Sequence, residues 1–238
     1  TASDATVIVE ADEEAKVQLV LDGVSITNKD FPAIYVKSAD KVFVTTVSDS
    51  ALSVTGSFTK DGSTNTDGVI FSKEDLVLNG TAILTVSSTD NGIVCKDDLK
   101  VTGGSYNITA RSKAVEAKDS ILIGGGTFRL EAGTDGLHAE NSDNDAKGTI
   151  RILDGTLTID AGDDAVLNQP VQPVRNARFA VLGEQQLVDQ RLDDLPVGLG
   201  EHLQPVDHPV VAVVVQDVVG QRLDARLKAV VSIGHGSI

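Results

Sequence analysis

Lys96–Ala117 reads KDDLKVTGGSYNITARSKAVEA, and Lys118–Glu140 reads KDSILIGGGTFRLEAGTDGLHAE. Laid one over the other, the two segments match in residue type almost position by position. Upstream, Lys73–Cys95 reads KEDLVLNGTAILTVSSTDNGIVC, and downstream Thr149–Asn168 reads TIRILDGTLTIDAGDDAVLN. The period is 23 residues, then 22, then a longer step through the insertion NSDNDAKG. Looser copies begin at Val17 (VQLVLDGVSITNKDFPAIYV) and Lys37 (KSADKVFVTTVSDSALSVTG). Within each unit apolar residues alternate: Leu99 and Val101, then Gly103-Gly104, then Tyr106, Ile108 and Ala110. Period-two alternation describes half-buried strands, and the glycines mark bends between them. A third short strand follows each acidic turn, as in Gly136-Leu137-His138-Ala139. Three short strands in each unit of ~22 residues describe one coil of a parallel β-helix, whose apolar face is buried only by its neighbours. The expected fold is therefore all-β, a right-handed parallel β-helix over residues 1–168. A leucine-rich repeat lacks support because its L-x-x-L-x-L motif is absent, and a β-sandwich does not require this register.

The remainder has a different character. The chain has 238 residues and a net charge of −15. Residues 1–168 hold 14 Lys and Arg against 27 Asp and Glu, whereas 169–238 hold 6 against 8. All 19 Thr precede residue 169, and five of the six Pro follow it. Residues 169–238 read as an atypical tail, disordered or out of frame, and 1–168 as a β-helix shortened at its N-terminal end. The negative charge argues against nucleic acid, which needs clustered Lys and Arg, and favours cations. The longest purely apolar run, Val210–Val215, is far short of the ~20 residues of a transmembrane helix. One cysteine excludes an intramolecular disulfide framework. A monomer is expected.

VQLVLDGVSIT (17–27), PAIYVKSADKVFV (32–44), the K-[DE]-D-L unit starts and the AGDDAV turn (161–166) together resemble one bacterial family. Its members are carbohydrate-binding domain-containing proteins: extracellular, calcium-binding parallel β-helices that bind cellulose and acidic sugars, with a fold like that of family-nine pectate lyases. The resemblance covers about residues 5–167 and stops after Val166. It implies bound Ca²⁺, a polysaccharide partner, acidic or cellulosic, and an extracellular or cell-surface location.

The acidic turns are the first candidates for the ion. Thr89-Asp90-Asn91-Gly92, Gly133-Thr134-Asp135-Gly136 and Gly162-Asp163-Asp164-Ala165 occupy equivalent places in their coils. Coils stack ~4.8 Å apart, so such carboxylates repel unless solvated or bridged by a cation. Calcium takes six to eight oxygen ligands in flexible geometry. Asp135, Asp163 and Asp164 form the primary candidate, with Asp90 in the same turn series and Gly136 expected to free carbonyls through its backbone freedom. Asp143 and Asp145, in the insertion beside them, are further candidates. Asp-Gly turns also form with no ion, by Asp bonding its own backbone. Asp61, Asn65 and Asp67, in the excursion SFTKDGSTNTDG, read as a flexible loop or a further cation site.

Lys96, Lys118 and Lys113 are candidate ligand-binding residues that would grip uronate carboxylates; the plainer reading is a solvent-facing ladder of alternating charge. Cys95 aligns with Ala117 and Ala139 at a small inward position, and His138 aligns with Glu116 at an outward, surface one. Tyr106 and Phe128 are expected inside, and Tyr35 and Phe43 as further core. With no Trp, an aromatic platform for crystalline cellulose has little support. The expected function is non-catalytic binding of acidic polysaccharide or cellulose with calcium. A calcium-dependent lyase using Lys96 or Lys113 as base is the alternative, and a structural or adhesive solenoid the third reading.

Overall fold

The computed structural model describes residues 1–168 and the strands Ala177–Leu182, Val210–Gln216 and Leu227–Val230. Each coil contributes one strand to each of three parallel sheets, of seven, eight and eight strands. In the Lys96 coil these strands are Asp98–Val101, Ser105–Ala110 and Val115–Ala117. They pair with Ser120–Ile123, Thr127–Ala132 and Leu137–Ala139 of the next coil. The fold is thus the expected β-solenoid. Among the described residues no helix is long and apolar enough to cross a membrane.

Register stacks like on like. In the first sheet Val17, Val42, Leu76, Leu99, Ile121 and Ile150 form one continuous ladder, each at most 2% exposed. In the second, Leu84, Tyr106, Phe128 and Leu157 run in line, with the Tyr106 and Phe128 rings stacked 5.0 Å apart. In the third, Ser72, Cys95, Ala117 and Ala139 keep a narrow corner, so Cys95 is the inward small residue the repeat implied. Gly104, Gly126 and Gly155 recur where the first sheet turns into the second, at φ of 104°, 115° and 125°. Only glycine adopts that backbone at little cost, which explains the G-G-S, G-G-T and D-G-T spacers.

The second sheet continues past residue 168. Ala177–Leu182 pairs in parallel with Gly155–Ala161 at a 22-residue step. At the other end Val210–Gln216 pairs with Lys16–Asp22, and Leu227–Val230 with Val7–Glu10. Both terminal coils therefore have backbone partners on part of their exposed edges. The rest of the expectation for 169–238, including its disorder, lies outside the described residues.

Candidate functional site

Outward positions of the third sheet form a second ladder: Ile8, Tyr35, Phe71, Val94, Glu116 and His138. Such positions normally face water, yet Tyr35, Phe71 and Val94 are at most 1% exposed and form their own apolar cluster with Ile8. Phe31 and Phe71 each meet Tyr35 edge-on, at 5.6 and 5.8 Å. The excursion after Val54 folds back towards this face. Gly56 and Thr59 donate backbone N–H groups to the Lys29 and Asp30 carbonyls, the Thr66 hydroxyl bonds the Thr59 carbonyl, and the Tyr35 hydroxyl donates to Asp61 at 3.0 Å. The expected flexible loop is instead pinned. Its polar composition hid this, because the anchors are mostly backbone groups. Tyr35 is buried here rather than in the main core, and Phe43 lies half-buried on an outward position of the first sheet.

Further along the ladder the apolar residues give way to charge. Lys96 and Lys113 both reach Glu116, at 2.9 and 3.0 Å. Burial pushes the Glu116 carboxyl up, but Lys96 and then Lys113 outweigh it and hold the group below its usual range. Neither lysine is thus presented to a ligand as a free cation. His138 is outward, as aligned, but only 6% exposed, and its Nδ1 lies 2.8 Å from Asp135. The surface histidine expected from alternation is covered because its turn carboxylate folds onto it.

That contact also occupies Asp135. One of its oxygens meets His138 and the other accepts the Asp164 N–H at 3.2 Å. Asp163 is exposed, and its N–H serves the Thr134 carbonyl. Asp135, Asp163 and Asp164 are stacked by the coil, but their carboxylates do not converge among the described residues. Gly136 has no left-handed φ; a Cβ there would stand 2.6 Å from the Ala165 carbonyl oxygen, so close stacking demands the glycine. The Asp90 N–H donates to the Ser88 hydroxyl, and the Asp90 carbonyl accepts from the Ser112 N–H. Asp143 pairs with Lys118 at 2.7 Å, and Asp145 is exposed. In the excursion, Asp67 accepts from Asn65 at 2.6 Å, while its other oxygen is buried without a hydrogen-bond partner.

The carboxylates that do converge stand at the unit starts. Asp75, Asp97 and Asp98 place ligand atoms within 4.8 Å of one another. Register puts Asp98 beside Asp75 in adjacent coils and Asp97 beside Asp119. Burial, a hydrogen bond to Asp119 and the charge of Asp75 push the Asp97 carboxyl up to about 6. Burial raises Asp119 too, but Lys147, Asp97 and Asn141 hydrogen-bond it, and the net effect holds it below its usual range. Lys147 and Asn141 belong to the NSDNDAKG insertion, which thereby closes over Asp119. Lys41 holds Asp75 at 3.0 Å, and Ser120 donates to Asp98 at 2.6 Å. The K-[DE]-D repeat was visible as charge alternating along one unit. The convergence is lateral, across coils, and follows only from aligning the units as a stack.

A family model described as carbohydrate-binding domain-containing protein matches residues 1–195. A curated carbohydrate-binding domain-containing protein of Acetivibrio thermocellus is 34% identical over 115 residues, 46% of this chain and 40% of the relative, so the match spans under half of that protein. A solved polysaccharide lyase-like protein from C. thermocellum, a gadolinium derivative, superposes with a TM-score of 0.64 at 32% identity, covering 76% of this chain and 79% of that one.

Proposed function

Because the chain belongs to the carbohydrate-binding domain-containing protein family, we propose that it is a non-catalytic solenoid that holds acidic polysaccharide through calcium at the Asp75, Asp97 and Asp98 corner. The observation that carries this reading is the convergence of three carboxylates from adjacent coils within 4.8 Å. Their chemistry fits: hard oxygen donors, both mono- and bidentate, are what calcium takes. Burial first, then a hydrogen bond to Asp119 and the charges of Asp75, Asp119 and Asp98, raise the Asp97 carboxyl, and a bound cation would relieve the part due to charge. Asp98 is exposed, which leaves a route for a uronate carboxylate to complete the coordination. A cation bridging protein and sugar carboxylates also suits a surface of net charge −15, which would otherwise repel pectate.

Calorimetry with polygalacturonate, with and without EDTA, tests the reading. The expected result is binding that chelation abolishes and that Asp98→Asn weakens. Equal heats after chelation would remove calcium from the account. The lyase reading is weaker because both candidate bases, Lys96 and Lys113, are engaged by Glu116. A catalytic base needs access to the proton that it abstracts. Sustained ultraviolet absorbance from unsaturated product would restore the lyase.

A further inference from the structure

On the third sheet's outer face, at the first coils, lies a groove of about 260 Å³. None of its lining residues belongs to the acidic corner of Asp75, Asp97 and Asp98. Its lining is mixed. Ile8, Phe31 and Tyr35 supply apolar surface, and Glu10, Lys37 and Asp61 supply charge. We propose that this groove is a second glycan site, specific for a neutral pyranose unit; the inference rests on the carbohydrate-binding reading above and adds a location and a chemistry to it.

The groove's volume falls just below that of ligand pockets, which run roughly 300–1,000 Å³, and suits about one sugar ring rather than an extended oligomer. Its polar groups suit hydroxyls. Carboxylates only accept hydrogen bonds and ammonium groups only donate. A ring hydroxyl does both, so one hydroxyl can donate to Asp61 or Glu10 while accepting from Lys37. The spacing leaves room for that exchange: Lys37 Nζ stands 3.6 Å from Asp61 and 4.0 Å from Glu10, beyond hydrogen-bond length. Tight pairs elsewhere on the solenoid, such as Lys118 with Asp143 at 2.7 Å, leave no such room.

Charge decides the class of sugar. Among the described residues two acids, Glu10 and Asp61, face two lysines, Lys37 and Lys60, so that lining carries no net attraction for an anion. A uronate carboxylate placed there would sit against two carboxylates, at a cost that a hydroxymethyl group does not incur. The groove is also preorganised. Asp61 is held by the Tyr35 hydroxyl at 3.0 Å, and its backbone pairs with Thr64 in both directions. Tyr35 is itself 1% exposed and wedged between Phe31 and Phe71. Burial and then the hydrogen bond to Asp61 push its phenol up to about 12, so it stays a donor throughout the neutral range. The acceptor is therefore fixed before a ligand arrives, which lowers the ordering cost of binding. Phe31, half-buried at the edge, offers the apolar contact for the C–H face of a ring.

The test uses the full chain with two probes, cellotetraose and trigalacturonate plus calcium, by titration calorimetry. Phe31→Ala removes the apolar wall, and Lys37→Gln keeps a donor but changes the charge balance. Both variants are expected to bind cellotetraose about tenfold more weakly, the effect of losing one good contact or charged hydrogen bond. Both should bind trigalacturonate as the wild type does. If Phe31→Ala lowers the melting temperature, Lys37→Gln alone decides. Cellotetraose binding that neither variant changes would overturn the groove as its site. Failure of the wild type to bind cellotetraose would overturn it as well. In either case retained trigalacturonate binding leaves the carbohydrate-binding reading standing, and loss of both probes removes the two together.

Discussion

Asp97→Asn separates a metal corner from an ordinary charged edge, because it should make the ion-free protein more stable and the calcium-bound protein less so. The substituted amide resembles the protonated acid: it is neutral and can donate to Asp119. In the wild type the Asp97 carboxyl titrates at about 6 against an ordinary 3.8. A raised acid contributes stability that is full below the unfolded value and is lost as pH rises through the folded one. At pH 7 that loss is complete. The rise from 3.8 to about 6 corresponds to about 3 kcal/mol if fully expressed, and solvent screening at this partly exposed corner reduces it to about 1 kcal/mol. In EDTA at pH 7 Asp97→Asn should therefore melt about 2–4 °C above wild type. At pH 4, where wild-type Asp97 is already protonated, the gap should close. Calcium reverses the order. At a concentration one hundred times Kd it adds about 2.7 kcal/mol to a protein that binds it, and a variant lacking one of three carboxylates should lose at least about 1.4 kcal/mol of that gain, a tenfold change in Kd. Differential scanning calorimetry at both pH values, with calcium or EDTA, reads all four quantities. A variant that is less stable than wild type in EDTA, or that gains equally from calcium, would refute the reasoning.

Other consequences can be checked on the purified protein. Leu99→Ala, in the fully buried first-sheet ladder, should cost about 2–5 kcal/mol by urea denaturation. Gly92→Ala would put a Cβ 2.5 Å from the Ala114 carbonyl oxygen and 2.6 Å from Ile108 Cγ2; separating the coils should cost about 1–3 kcal/mol, and the same assay measures it. Cys95 is fully buried, and burial pushes its thiol up to about 12, so a disulfide reagent should label it only as fast as the protein unfolds.

The solenoid was legible because its determinants are periodic. Leu99, Ile121 and Ile150 recur in the same place of each unit, and stacking them needs no knowledge of anything else. The inward roles of Cys95, Tyr106 and Phe128 follow from the same alternation. The candidate sites were less legible because they depend on what lies outside the coil. Alternation correctly turned His138 outward, whereas Tyr35, expected in the core, stands on the same outward ladder; burial at both comes from a folded turn and a folded excursion, which no periodicity encodes. The acidic turn at Asp135 looked like a ligand set because its residues align. Alignment fixes backbone positions only, and the Asp135 side chain turned to His138 instead. At Asp75, Asp97 and Asp98 the reverse holds: charges that look ordinary within each unit meet only when the units are stacked.

The coincidence of a 22-residue step with a parallel register makes each coil an interchangeable part. Removing Lys96–Ala117 would bring Lys118 directly after Cys95 and leave Leu76 beside Ile121, so every inward ladder would close up by one rung without a change of face. Duplicating the same segment would add a rung. Length in such a chain is inherited in whole turns, and stability changes by roughly one coil and one interface at a time. The two proposed binding surfaces differ in how they would respond to such edits. The groove spans the early coils and their excursion and would survive, whereas the acidic corner depends on which unit follows which and would be rewritten by a single deletion.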